Sequence, residues 1–225
     1  MSESPLRIDS STRTTHQGDP DRVDGRLHAV RWVIFGEVAF LFFMGVSVAL
    51  HPGYVLARRE GGISEYGLHA KTAVLYTFAW AALAGSNMRA ARVCGGRGAC
   101  SQKLRKLLLF YSAAISFVLV STYFYSLDAV LKYIHYGFGA ILVTFMSVAA
   151  YWLCRQLAGV TWVRAILWVQ VLGSLAALLS IVGVVHVLFC AETISNVGCA
   201  ILLAKMCHGA LDERVEESAI VAVAQ

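Results

Sequence analysis

The stretch that decides the fold is "VTWVRAILWVQVLGSLAALLSIVGVVHVLFCAETISNVGCAILLAK", Val160 to Lys205. One bilayer crossing takes about 20 apolar residues. This run is too long for one crossing and about right for two joined by a tight turn. The turn is expected near "HVLFCAE", His186 to Glu192.

Working outward, four further apolar runs have the length of single spans: Val30 to Leu50, Leu68 to Met88, Leu107 to Leu127 and Ala129 to Leu153. The chain of 225 residues is 58% hydrophobic and 15% charged, and its mean hydropathy is +0.64. An ordinary soluble domain is about 25% charged. The reading is therefore an all-α polytopic membrane protein, a six-transmembrane-helix bundle over residues 30–208. A polar tail of residues 1–29 precedes it, and residues 209–225 follow as a second tail. The first tail has no apolar core before Val30 and no small-residue cleavage site, so it is expected to be a disordered tail and not a signal peptide. The net charge of +5 is spread over tail and loops. No basic patch is interleaved with stacking aromatics, so nucleic acid is not an expected partner.

Loop charge gives the orientation. Arg7, Arg13, Arg22, Arg26 and Arg31 precede the first span, and Arg89, Arg92, Arg97, Lys103, Arg105 and Lys106 lie between the second and third. Arg155 and Arg164 follow the fourth. The alternate loops carry little uncompensated positive charge, so the positive-inside rule places both termini in the cytoplasm. The expected location is a plasma membrane crossed several times. Cys94 and Cys100, in "CGGRGAC", then fall in a reducing loop. They are expected to be free thiols and too few for a zinc site.

The opposite connections hold the polar chemistry. "EGGISEYGLHAKT", Glu60 to Thr72, precedes the second span, and "DAVLKYIHYGFGA" opens the fourth. Asp128, Lys132 and His135 recur at helical spacing on one face, with Asp128 and Lys132 placed for an i,i+4 ion pair. Ser64, Glu65, His69, Asp128, His135, His186 and Glu192 all fall at one depth and form the candidate ligand-binding set. A histidine two turns inside a span needs a partner, whereas a carboxylate in a first helical turn also suits the helix dipole. Glu37, deeper in the first span, is expected to pair with Arg31 or Gln170. Intramembrane ionisable groups are costly and mark functional candidates.

Several chemistries are open to such a set. His69, His135 and His186 with a carboxylate could ligate a divalent metal whose bound water hydrolyses a lipid ester. Haem held by two histidines needs ligands deeper on facing helices than His69 and His135, so haem is not expected. A cluster binding a lipid headgroup without chemistry, or one that only ties helix ends together, needs no metal.

"HPGYVLARREGGISEYG" before a span resembles a bacterial membrane family of unknown function with a Pro-Gly and Ile-Ser-Glu/Asp-x-Gly pattern, and that resemblance implies a bacterial plasma (inner) membrane. The layout is similar to the DRAM/Sfk-like six-helix membrane family. There an Ile-Ser-Asp-x-Gly-like loop precedes the second span, an aspartate and a histidine open the fourth, and a glutamate lies near the start of the sixth. The matching positions are Ile63, Ser64, Glu65, Gly67, Asp128, His135 and Glu192. The family's eukaryotic relatives are tied to autophagy and to remodelling of lipid-anchored proteins, so the resemblance implies a lipid-linked role, with no catalytic residue carried over. The chain departs from the pattern at Glu65, where an aspartate is frequent, and in its basic "ARREGG".

Three functional classes follow: a protein binding or acting on membrane lipid or a lipid-linked molecule, a metal-dependent membrane hydrolase, and an accessory subunit or homo-oligomer. For the last, Gly173 and Ala177 offer small-xxx-small spacing. No proline lies within a span and no internal repeat is evident, which counts against an inverted-repeat transporter.

Overall fold

The computed structural model describes residues 20–53, 62–96, 101–156 and 161–209. The expected disordered tail of residues 1–29 is corrected in part: residues 20–29 are helical, the first helix starting at Pro20, a residue suited to a first helical turn. Residues 1–19, residues 54–61 with "ARREG", the loop residues 97–100 with Cys100, residues 157–160 and the tail from residue 210, with the expectations attached to them, lie outside the described residues. The described residues form seven helices and no strand: α1 (Pro20–Leu50), α2 (Glu65–Leu68), α3 (Ala73–Gly96), α4 (Gln102–Thr122), α5 (Ala129–Gln156), α6 (Thr161–Ile181) and α7 (Leu188–Gly209).

Five helices are long and apolar enough to cross a membrane, over Asp24–Leu50, Gln102–Thr122, Ala129–Arg155, Trp162–Ile181 and Leu188–His208. α3 is also long, at 24 residues. Its second half carries Ser86, Asn87, Arg89 and Arg92, which makes it less apolar. It nevertheless packs between α1 and α4 and buries Ala79, Leu83, Ala90 and Ala91. The ring closes as α4 meets α5, α5 meets α6 and α7, and α7 returns to α1.

The packing is that of a membrane bundle. Large apolar side chains face outward, with Phe42 63% and Trp168 66% exposed. A surface so apolar would be an association hazard in water. Inside, small residues let backbones approach. A methyl on Gly36 of α1 would collide with Ser86 of α3, and one on Gly173 of α6 would press on Ser195 of α7. Gly173 and Ala177 are both buried, and Ala177 clusters with Ala191 of α7. The small-xxx-small face packs against α7 inside this bundle.

Several boundaries differ from the sequence reading. The helix expected from Leu68 begins at Ala73, because His69 takes extended backbone (φ −88, ψ 121) and breaks it from α2. The third span was expected to reach Leu127, but α4 stops at Thr122, and the following turn brings Tyr125 into the interior. The reversal between α6 and α7 comes before His186, at Gly183, whose φ of 81 suits a residue without a side chain. Glu192 consequently lies within α7, one turn in, and not in the turn. Cys94 is disulfide-bonded, against the expectation of free thiols. It is buried at the last turn of α3, where Gly95 touches the Arg105 side chain of α4. The redox argument weighs the compartment and does not see that helix convergence.

Candidate functional site

α1, α4 and α6 finish, and α3, α5 and α7 begin, at one end of the bundle, termed here the upper end. The segment 62–72 is tucked into it. Ile63 and Tyr66 are both fully buried apolar anchors, so the polar turn of the sequence is pinned by two large side chains. The Tyr66 hydroxyl donates to the His51 carbonyl at 3.1 Å, and Thr72 Oγ1 donates to the Tyr66 carbonyl at 2.7 Å. The Ile63 N–H donates to Glu192 Oε2 at 2.9 Å, which latches the segment to α7. Gly62 makes this approach feasible, since a Cβ there would come within 2.8 Å of Leu188 and 3.2 Å of Glu192 Oε2.

Anchored this way, Ser64 and Glu65 face α4 and α5. His135 of α5 is buried and bonded at both ring nitrogens, Nδ1 to Ser121 Oγ at 2.9 Å and Nε2 to Ser64 Oγ at 3.0 Å. The Ser121 hydroxyl lies within reach of the Val118 carbonyl, at 2.9 Å, as well as of the ring, and that carbonyl also accepts the Thr122 hydroxyl at 2.8 Å. Each serine can donate to or accept from the imidazole, so both contacts are satisfied in either neutral tautomer. Tyr125 stacks on the same ring at a centroid distance of 4.9 Å, and its hydroxyl donates to Glu65 Oε1 at 2.8 Å. Burial, then the hydrogen bond and charge of Glu65, push the Tyr125 phenol above its ordinary range and keep it a neutral donor.

These groups wall a cavity of about 40 Å³, lined by Gly62, Ser64, Glu65, Val118, Tyr125, His135, Tyr136, Gly139, Ile181, Leu188 and Glu192. That volume holds about two or three water-sized groups. Its polar edge has two carboxylates, a serine and a histidine, and no lysine or arginine is among the described lining residues. Such a lining suits a hydrogen-bond donor or a cation, and two aromatic faces add to that preference. The floor is apolar. At Gly139 nothing lies within 4 Å of where a Cβ would be, so a side chain placed there would have open space on the cavity wall.

Of the sequence-derived set, Ser64, Glu65, His135 and Glu192 meet at this cavity. Asp128 does not. It is exposed and caps α5 through the Val130 N–H at 2.8 Å, while Lys132 reaches over the Tyr136 ring. His69 lies against the His51 ring, with centroids 3.9 Å apart, and His186 is exposed on the α6–α7 connection. Among the described residues, no three His, Cys, Asp or Glu side chains are grouped to hold a metal ion. Both nitrogens of His135 are already committed to serines. Tyr125 and Ser121 belong to the site and were not singled out by sequence. In "STYFYSL" they look like interfacial aromatics and helix-end hydroxyls, and only their spacing of four residues before the α5 cap hinted at one shared face.

No protein-family model, no curated protein and no solved structure matches the chain.

Proposed function

We propose that this chain is a six-span integral membrane protein of a bacterial plasma membrane, with α3 as the sixth span and both termini cytoplasmic. Its upper cavity then faces the outer leaflet and binds the polar head of a membrane lipid or lipid-linked molecule. The observation that carries the reading is the cavity itself, with Glu65, Glu192, Ser64 and His135 around a space that fits a small donor group. The two carboxylates and the Tyr125 and Tyr136 faces favour a headgroup amine or hydroxyl over a phosphate, since an anion would meet like charge and, among the described lining residues, no cationic partner. The lipid-linked role implied by the resemblance to the DRAM/Sfk-like family agrees with this and is part of the proposal. Identification of the lipids that stay bound to the purified protein tests it. Wild type should retain an amine- or hydroxyl-headed lipid that Gly139→Leu, which fills the cavity, releases. Equal retention by the two proteins would refute the proposal.

A further inference from the structure

A second polar cluster lies far from the upper cavity. Glu37 is the central residue of the span Asp24–Leu50, so the helix rise puts it about 20 Å from either end. It is 7% exposed, and both carboxyl oxygens are sealed from solvent with no hydrogen-bond partner. The expected pairing with Arg31 or Gln170 is not formed. Arg31 is exposed, and six residues of helix turn it to another face from Glu37. Gln170 is fully buried with neither amide atom partnered, and its Oε1 is held against Gly198 of α7.

The surroundings of Glu37 are neutral and polar. The Tyr111 hydroxyl of α4 and the Cys199 thiol of α7 lie within electrostatic reach of it. Tyr111 donates to Asn196 Oδ1 at 3.2 Å. On the α3 side, Ser86 meets Gly36, and the Asn87 amide donates to Leu83 while its Oδ1 stays unpartnered. α3 and α7 are the helices packed most extensively on α1. Among the described residues, Tyr111 and Cys199 are titratable groups near Glu37. Arg89 of α3 is exposed and lies over Trp32, nearer the end of the bundle.

A bare carboxylate at mid-membrane depth, without donor or cation, is strongly disfavoured. A metal or alkali ion would need several oxygen ligands and its own volume, and the sealed oxygens leave none. A proton needs neither. On α7, Glu192, Ser195, Asn196 and Cys199 follow one another at i, i+3, i+4 and i+7, and the last three are buried. One polar face of that helix therefore runs from the upper cavity to the groups around Glu37.

We propose that Glu37 is an intramembrane proton-binding site, its carboxyl protonated at neutral pH and exchanging with the upper cavity along the polar face of α7. The proposal does not depend on what the cavity binds.

Infrared spectra of the full protein in lipid nanodiscs, wild type against Glu37→Gln, test it, with Glu37→Met as a second reference should the amide variant fold poorly. At neutral pH the difference should show the carbonyl band of a protonated carboxylic acid, and that band should shift when water is replaced by heavy water. A carboxylate signal in place of the acid band would overturn the proposal. So would an acid band that never shifts in heavy water, or one that sodium removes and choline does not.

Discussion

Removing the Glu192 carboxylate should release the segment that roofs the cavity. In Glu192→Ala the Ile63 N–H loses its acceptor at 2.9 Å, and Ile63 is only 1% exposed. An unsatisfied buried donor costs about 1–3 kcal/mol. A water drawn into the adjoining cavity would return part of this, which leaves about 1–2 kcal/mol. Concentrated on one local opening, that is a factor of roughly 5–30 in its population. Hydrogen exchange by mass spectrometry should therefore show residues 62–68 exchanging faster by that factor, with mid-helix amides of α4 and α7 unchanged. Glu192→Gln keeps an acceptor oxygen and should stay much closer to wild type. Wild-type exchange in the alanine variant, or equal acceleration in both variants, would refute the latch.

Three further outcomes are expected. Replacing Glu37 by Met removes a buried carboxyl that makes no hydrogen bond, so thermal unfolding in detergent should show stabilisation, of about 1–3 kcal/mol; a lower midpoint would show that the carboxyl is partnered. At the upper end, partial desolvation and then the fields of His69 and Lys71 hold the His51 imidazole below its ordinary range. A depressed imidazole favours the folded state above the unfolded value of about 6.5, and that contribution is lost as pH falls through the lower folded value. Exchange at residues 69–72 should accordingly rise on acidification below pH 6.5, and His51→Gln should flatten the response. For topology, Cys190 is a free, exposed thiol at the start of α7. A membrane-impermeant maleimide should label it on intact cells, and labelling only after permeabilisation would invert the proposed orientation.

Run length was enough to read the five helices that are long and apolar enough to cross a membrane, because a span is a one-dimensional property: about 20 apolar residues bounded by polar ones. Depth was legible for the same reason, and Ser64, Glu65, His135 and Glu192, read at one depth, line one cavity. Depth does not give azimuth. Asp128, His69 and His186 share the level of the cavity, yet the break at His69, the exposed cap at Asp128 and the early reversal at Gly183 turn them elsewhere. Tyr125 and Ser121 were missed because their roles come from a turn after α4 that apolar content concealed by extending the expected span to Leu127. The pairing proposed for Glu37 failed on geometry too, since Arg31 lies on another helix face. In each miss, composition fixed a residue's height in the bundle, and local backbone chemistry decided which way it faced.

The central claim is that the upper cavity is a binding site built on the Ser64–His135–Ser121 relay. Nitrogen NMR of labelled His135 in nanodiscs tests it most directly, with and without a short-chain lipid bearing an ethanolamine head. The account predicts that the Nε2 resonance moves when the lipid is added and stays still in Gly139→Leu. A resonance indifferent to the lipid in the wild-type protein, or one that moves equally in Gly139→Leu, would contradict it.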